Sequence, residues 1–371
     1  MYARAAVLRS QPGKWDIVDV DLEPPKSGEV LVRMAYAGLC HSDDHIATGD
    51  FTMPTPINGG HEGSGVVEAV GPDVVGLAVG DHVVTSFVPA CGQCRWCASG
   101  QPNLCDAGMR FGTGAMADGT FRMFADGVPI SRSGGLGTFA TYNVFAQQSC
   151  IKVRADAPLD VACLVGCGVP TGWGSAVHAL ATQPGDTVIV MGIGGVGANA
   201  LQGARHAGAT DVIAVDLVAS KRAKALEFGA HHFFTSMDEA IDLARSLTNG
   251  QGADGVVITT GVVDGTQIER AFAGIRKAGT VAVTAAGSMD TVGIPVRLFE
   301  LSMYQKRIQG VLYGMGAPRR EVQRLLDMYL RSQLKLDELI THRYTLEEIN
   351  AGYADMRAGL NIRGIIDFET A

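Results

Sequence analysis

From about residue 170 onward, apolar runs alternate with helical patterns. The run DTVIVMG leads into a glycine-rich turn, which is followed by the helical pattern ANALQGARHAG and a second apolar run, DVIAVD. The alternation continues through ASKRAKALEFGA, GVVITTG, TQIERAFAGIRKAG and TVAVTAAG. Repeated strand–helix–strand units bury both faces of a sheet under helices. The pattern therefore predicts an α/β unit with a parallel sheet, spanning residues 169–311.

The remainder of the chain has a different texture. Before residue 169, the runs WDIVDV and EVLVRMAYA are rich in β-branched residues and are separated by Gly and Pro, which predicts strands and turns. After a last strand at RIQGVLYG, an amphipathic helix is predicted at PRREVQRLLDMYL and a short strand at GIIDF. At 371 residues the chain exceeds the size that one core usually serves, so we expect two domains.

The glycine turn after DTVIVMG carries a specific pattern. Gly192, Gly194 and Gly197 fit G-x-G-x-x-G between a predicted strand and a predicted helix, and Asp216 ends the next strand. Such a turn lets backbone approach a pyrophosphate, and the acid accepts hydrogen bonds from a ribose. We therefore predict a dinucleotide site made by Gly192, Gly194, Gly195, Val196, Gly197, Asp216 and Lys221. Asp216 would repel a 2′-phosphate and LVAS offers no Arg to hold one, which favours NAD over NADP.

Charge and hydropathy exclude several classes of protein. The formal net charge is −8, and no run of Lys or Arg could follow a phosphate backbone or an anionic membrane, so we expect no nucleic-acid or membrane partner. The N-terminus lacks the apolar core of a signal peptide, and no apolar run approaches the roughly 20 residues that span a bilayer. We expect a cytoplasmic protein.

Four of the eight cysteines lie within one short segment. CGQCRWCASGQPNLC places Cys91, Cys94, Cys97 and Cys105 at the spacing C-x2-C-x2-C-x7-C. Four soft ligands suit a tetrahedral zinc with no open position, hence a structural metal. An iron–sulfur cluster is the alternative, and a colourless protein would exclude it.

Three further residues could make a second metal site. Cys40 begins CHSDDH, His61 lies in GHEGSG, and Cys167 lies in GCGVPTGWGSA. Two thiolates and one imidazole make a three-ligand zinc site whose fourth position is open to substrate. Ordinary burial is the alternative for each residue alone, and we assign it to Cys150 and Cys163.

These motifs, in this order and spacing, resemble the zinc-dependent medium-chain alcohol dehydrogenase family over essentially the whole chain. The resemblance implies a doubly wound Rossmann domain at 169–311, inserted in a split, mainly β, GroES-like catalytic domain made of 1–168 and 312–371. A zinc lobe would occupy about 91–105. The active site would lie in the cleft between the domains.

The resemblance also implies a role for each matching residue. Cys40, His61 and Cys167 would bind the catalytic zinc, and Asp43 would orient His61. Glu62 resembles an acid that approaches the metal during ligand exchange. The remaining matches are Ser42, which would bind the substrate hydroxyl, His45, which would pass its proton to solvent through the nicotinamide ribose, and Arg363, which would contact the pyrophosphate. His41 stands where many relatives carry an Arg that grips the pyrophosphate.

The expected reaction is hydride transfer between a primary alcohol or aldehyde and NAD, with two zinc ions per chain. The long segment after Cys105 resembles the branch that includes glutathione-dependent formaldehyde dehydrogenases, which is the alternative substrate class. A further resemblance is to actinobacterial enzymes that keep NAD bound and pass electrons to an external nitroso acceptor. A nucleotide-binding regulatory protein is the alternative outside catalysis.

Two further expectations concern surfaces. The segment TVGIPVRLFELSMYQKRIQGVLYG resembles the strand through which relatives pair subunits, so we expect a homo-oligomer. Phe87 and Phe139 would line the substrate cleft, with burial in the core as the alternative.

Overall fold

The computed structural model describes residues 1–369, apart from the side chains of residues 109–111. The chain divides into two compact units, one made of residues 1–168 together with the chain from 317 onward, the other of residues 169–316. The predicted second boundary was residue 311. The structure places it at 316 because the short turn Tyr313–Met315 belongs to the second unit, where Gly314 packs directly on Gly174.

The first unit is mainly β. Its N-terminal part contains the strands β1 (Tyr2–Leu8), β2 (Trp15–Leu22), β3 (Glu29–Gly38), β4 (Ile57–Asn58), β5 (Glu62–Val70), β6 (His82–Thr85), β7 (Met123–Ala125), β8 (Val128–Pro129), β9 (Ser131–Arg132), β10 (Tyr142–Ala146) and β11 (Cys150–Lys152). Its α-helices there are α1 (His41–Thr48), α2 (Arg95–Ala98) and α3 (Leu159–Ala162).

The second unit is a doubly wound parallel sheet. Its helices are α4 (Gly168–Gly174), α5 (Gly195–His206), α6 (Arg222–Glu227), α7 (Met237–Leu247), α8 (Gly265–Gly274) and α9 (Leu298–Met303). Its strands are β12 (Thr187–Met191), β13 (Asp211–Val215), β14 (His232–Phe234), β15 (Ala253–Ile258), β16 (Ile275–Val283) and β17 (Arg307–Gly310). They pair in the order β14-β13-β12-β15-β16-β17, and every pair is parallel. The strand order reverses beside β12, which is where such sheets bind nucleotides.

The chain then returns to the first unit through α10 (Pro318–Leu330), β18 (Ile340–Tyr344), α11 (Ile349–Arg357) and β19 (Arg363–Asp367). One sheet has the order β8-β7-β2-β1-β4-β9, and the other has the order β11-β6-β5-β3-β19-β18, with β10 also paired to β3. The C-terminal strand β19 therefore lies directly beside β3, antiparallel to it. This pairing brings Arg363 to the end of β3, where the candidate site begins.

One predicted helix ends earlier than its sequence pattern suggested. The pattern TQIERAFAGIRKAG continues to residue 279, but α8 ends at Gly274 and β16 begins at once. Gly274 leaves room for Ile241, and Ala278 adopts a left-handed φ of 58°, which a helix cannot accommodate. Among the described residues, none of the helices has the length and apolar character needed to cross a membrane.

Candidate active site

Four buried side chains of the first unit converge on one point. One ligand atom each from Cys40, His61, Glu62 and Cys167 lies within 4.8 Å of all the others. Cys40 precedes helix α1, His61 and Glu62 enter strand β5, and Cys167 follows the turn Cys163–Gly166. Three segments far apart in sequence thus place the two predicted thiols and the predicted imidazole together.

The two thiols are close enough to interact directly. A hydrogen bond with Cys167 is the largest cause that lowers the pKa of Cys40 well below its usual value, and the same contact raises the pKa of Cys167. Sulfur atoms that share a proton are also placed to share a cation. Metal sites use the thiolate form, which this contact favours at Cys40.

His61 is held by a carboxylate and a loop. Its Nδ1 lies 2.8 Å from Asp43 Oδ2, and the other oxygen of Asp43 accepts hydrogen bonds from Gly60 N at 3.0 Å and Ser133 Oγ at 2.6 Å. Burial opposes the charged imidazole, but Asp43 and Cys40 outweigh it and raise the pKa of His61 well above its usual value. A carboxylate on Nδ1 directs Nε2 toward the cluster, which is the arrangement that metal-binding histidines use.

Glu62 lies in the same buried cluster. Its Oε1 accepts a hydrogen bond from Gly168 N at 3.1 Å and pairs with Arg363, whereas Oε2 has no partner among the described residues. Gly38 on β3 provides the space, since a Cβ there would overlap the Glu62 carboxylate. Burial is the main cause that raises the pKa of Glu62 to about 7, although Arg363 acts in the opposite direction.

Arg363 lies inside the first unit in this structure. Its guanidinium is buried, pairs with Glu62 and donates a hydrogen bond to the carbonyl of Leu39 at 2.6 Å. The sequence did not indicate this pairing, because the two residues are 301 positions apart. Its predicted contact with a pyrophosphate stays a prediction that rests on the family resemblance.

Helix α1 carries the other predicted groups. Ser42 is exposed and its Oγ lies 3.7 Å from Cys40 Sγ. His45 follows three positions later, on the same face of the helix, and is buried. His41 is exposed, with its ring centroid 6.4 Å from that of His45. A hydroxyl and an imidazole therefore lie on one helix beside the metal-type cluster.

The four-cysteine lobe forms the second cluster. One sulfur from each of Cys91, Cys94, Cys97 and Cys105 lies within 4.8 Å of the others. Backbone N–H groups donate to two of these sulfurs, Cys91 N to Cys105 Sγ at 3.3 Å and Cys94 N to Cys91 Sγ at 3.4 Å. N–H bonds from Cys97 and Asp106 lower the pKa of Cys94 to about 6. Backbone donors of this kind stabilise thiolates.

The glycine turn of the second unit has room for a ligand. Gly192 has a φ of 95°, and a Cβ on Gly197 would overlap the Gly192 carbonyl, so both positions require glycine. A Cβ on Gly194 would meet nothing within 4 Å. Helix α5 begins at Gly195 without a side-chain cap, so the N–H groups of its first turn, which includes Val196 and Gly197, are available to an anion.

Asp216 closes this site from the end of β13. Its Oδ2 accepts hydrogen bonds from Ile193 N at 2.7 Å and Lys221 Nζ at 3.0 Å, and its Oδ1 accepts one from Val218 N at 2.9 Å. The structure thus joins the predicted acid and the predicted lysine. The Ile193 contact links both to the glycine turn.

Both clusters and the glycine turn fit the groups that the motifs imply. Two thiols and one imidazole match the nitrogen and sulfur ligands of an open zinc site, with a partnerless carboxylate oxygen beside them, and the four thiols match a closed zinc site. The open space over Gly194 and the uncapped α5 match a dinucleotide phosphate.

Some residues of the site could not be read from the sequence. Ser133 holds Asp43, and Gly134 packs so closely on His61 that a Cβ would meet its side chain at 2.9 Å. The only sequence signal for this loop is the glycine-rich run SRSGGLG. Phe87 packs edge-on against His61 at 5.6 Å, whereas Phe139 is fully buried in the core against Trp15. Cys150 and Cys163 are buried, as predicted.

Comparisons with known proteins agree with this architecture. A family model described as "Alcohol dehydrogenase GroES-like domain" matches residues 26–155, and one described as "Zinc-binding dehydrogenase" matches residues 195–331. The chain is 48% identical to the NDMA-dependent alcohol dehydrogenase of Amycolatopsis methanolica, with 99% of both chains covered. It is 36% identical to the S-(hydroxymethyl)glutathione dehydrogenase of Paracoccus denitrificans, over 99% of this chain and 100% of that one.

Among solved structures, the benzyl alcohol dehydrogenase of Acinetobacter calcoaceticus matches with a TM-score of 0.91 and 30% identity, and 99% of each chain is covered. The fold, with a GroES-like unit and a Rossmann unit, is therefore shared over the full length.

Proposed function

Since this chain belongs to the zinc-dependent alcohol dehydrogenase family, we propose that it oxidises primary alcohols to aldehydes with a tightly held NAD and an external electron acceptor. The observation that carries the proposal is the buried cluster of Cys40, His61 and Cys167. Two thiols and an oriented imidazole leave a coordination position for substrate, as catalytic zinc sites do. The family uses zinc and an NAD-type cofactor.

When bound, zinc supplies Lewis acidity and NAD accepts a hydride from carbon. The residues of this chain hold these groups and handle the proton. Asp43 fixes the His61 ring through Nδ1. The Ser42 hydroxyl, beside Cys40, would receive the substrate's hydroxyl proton, and His45, on the same face of the helix, would take it onward.

The relay has a direct test. We expect His45→Gln to slow alcohol oxidation mainly below about pH 7. Without the imidazole, the proton must pass to a base in the solvent, and such bases are scarce at low pH. The measurement is kcat for benzyl alcohol across pH in the variant and the unaltered protein. A pH profile that does not change would refute the relay.

The tightly held NAD is proposed from the 48% identity to a relative named NDMA-dependent. We expect the purified protein to oxidise benzyl alcohol with NDMA and no added NAD, and to retain nicotinamide after gel filtration. Activity that requires added NAD would refute the retained cofactor while leaving the dehydrogenase intact. A third assay contains formaldehyde and glutathione and tests the alternative substrate class. We expect less activity there, because the relative named S-(hydroxymethyl)glutathione dehydrogenase is less similar, at 36% identity.

We propose NAD rather than NADP because the Asp216 carboxylate lies beside the glycine turn and would repel a 2′-phosphate. Lys221, which binds Asp216, would contact the ribose. After the bound nucleotide is removed by partial unfolding and refolding, NAD should bind more tightly than NADP. Tighter NADP binding would contradict this role of Asp216.

A second zinc is proposed for the four cysteines of the lobe, where it closes a segment with little core of its own. All eight cysteines are free thiols. A cytoplasmic setting, which keeps such ligands reduced, suits both clusters. The expected content is about two zinc ions per chain.

A homo-oligomer is proposed from the surface near the edge strand β17. Strongly exposed apolar side chains precede it, namely Met289, Val292, Leu298, Phe299 and Met303. β17 lies at the end of the sheet, so its outer edge can pair with a second copy. Phe299→Glu should shift the sedimentation coefficient toward that of a monomer, whereas a monomeric unaltered protein would contradict the proposal.

A further inference from the structure

A carboxylate lies directly behind His45. His45 Nδ1 is 3.3 Å from Asp50 Oδ2. Asp50 follows the end of α1, where Gly49 adopts a φ of 91° and turns the chain back over the last helical turn. The N–H of Phe51 then donates to the His45 carbonyl at 3.0 Å, which fixes the returning segment beside the ring.

The contact between Asp50 and His45 is supported on both sides. Thr48 Oγ1 donates to the same Asp50 oxygen at 2.7 Å, and the Phe51 ring lies with its centroid 5.0 Å from that of His45. The His45 side chain is 8% exposed, whereas that of Asp50 is 38% exposed. The carboxylate therefore lies between a buried imidazole and solvent. The hydrogen bond from Thr48, followed by His45, lowers the pKa of Asp50, so the group stays ionised.

An ionised carboxylate has only lone pairs and accepts hydrogen bonds. The His45 nitrogen that faces it must carry the proton, which leaves the lone pair on Nε2. An imidazole oriented in this way by an acid is a better general base than a free one, since the acid also stabilises the cation that forms.

We propose that Asp50 is a positioning residue that fixes His45 as the Nδ1–H tautomer and stabilises the imidazolium formed during alcohol oxidation. Ser42 releases its hydroxyl proton toward Nε2 of His45 and takes the alcohol's proton in return, so that the Ser42 oxygen regains the proton it loses. The imidazolium then releases one proton to solvent, and no electrons move in this part of the reaction. The inference rests on the proposed relay role of His45.

The test combines spectroscopy with kinetics on the complete enzyme. Solid-state nitrogen-15 NMR of protein labelled at the histidine rings reports which nitrogen carries hydrogen, and His45→Gln assigns the signal. We expect Nδ1–H for His45 in the unaltered protein and its loss in Asp50→Ala. We also expect kcat for benzyl alcohol with NDMA to fall about tenfold in Asp50→Ala.

Two variants serve as controls. Asp50→Glu should restore the tautomer and most of the rate, because it returns a carboxylate. Asp156→Asn removes an exposed carboxylate that forms an ion pair with Arg154 far from His45 in sequence, and should change neither.

The outcomes separate this inference from the proposed function. If His45→Gln is slow but Asp50→Ala retains the Nδ1–H tautomer or the full rate, Asp50 has no positioning role and the relay stands. If His45→Gln keeps full activity, the relay itself is wrong.

Discussion

The two cysteine-containing clusters of the first unit are built in opposite ways. The lobe cluster takes Cys91, Cys94, Cys97 and Cys105 from one short segment, and three of the four are only partly buried. The cluster with His61 takes its members from three distant segments, and all are buried beside the carboxylates of Asp43 and Glu62. We propose that the closed set of four thiols binds a zinc that stabilises a local loop, whereas the mixed, buried set binds a zinc that orients and polarises a substrate.

The largest effect is expected from Cys167→Ala. Loss of a ligand at the open cluster should lower kcat/KM for benzyl alcohol by at least about a thousandfold, since the Lewis acidity is worth several kcal/mol. Elemental analysis should show a loss of about one zinc per chain, with little change in the thermal midpoint. A variant that keeps both its zinc and its activity would contradict the assignment.

Cys97→Ala should act on stability rather than chemistry. We expect the lobe to lose its zinc and the thermal midpoint to fall by about 5–10 °C, because structural zinc contributes folding free energy. Scanning calorimetry and elemental analysis measure both. The control is Cys150→Ala, which removes a buried thiol outside either cluster and should leave the zinc content unchanged. Equal zinc loss in the two variants would refute the role of the lobe.

Asp43→Asn tests the support of His61. Substitution of the carboxylate should weaken zinc binding at the buried cluster about 10- to 100-fold, because an amide orients the imidazole less well. Competition with a chelator followed by elemental analysis measures the release of each zinc. Faster release of the lobe zinc, with the other zinc unaffected, would contradict the proposed support of His61 by Asp43.

The smallest effect is expected from Ser133→Ala. One of the hydrogen bonds to Asp43 disappears, which should cost about 1 kcal/mol and speed chelator release by a few fold. The same chelator assay applies. An effect as large as that of Asp43→Asn would mean that Ser133 holds the loop as a whole.

The fold of the second unit followed from sequence because its information is local. Alternating apolar runs and helical patterns specify a parallel sheet, and the predicted α/β architecture is confirmed. The predicted helix that ended early illustrates the limit, since the Ile241 contact that favours Gly274 at the helix end comes from another helix.

The candidate site likewise has one part that local sequence predicts and one part that depends on contacts between distant segments. Spacing alone predicted the lobe, because all four thiols lie within fifteen residues. Cys40, His61 and Cys167 could be proposed by residue type, but their convergence depends on the pairing of distant strands. Contacts such as Glu62 with Arg363, 301 positions apart, and Asp43 with Ser133, 90 apart, leave no periodic pattern in the sequence. The Glu62–Arg363 contact arises from the register in which β3 pairs with β5 and β19.

The most direct test of the two-cluster account is the zinc content of the unaltered protein, measured by elemental analysis after gel filtration in metal-free buffer. The account predicts about two zinc ions per chain, one for each ligand set. A single zinc per chain, or iron in place of zinc, would contradict it.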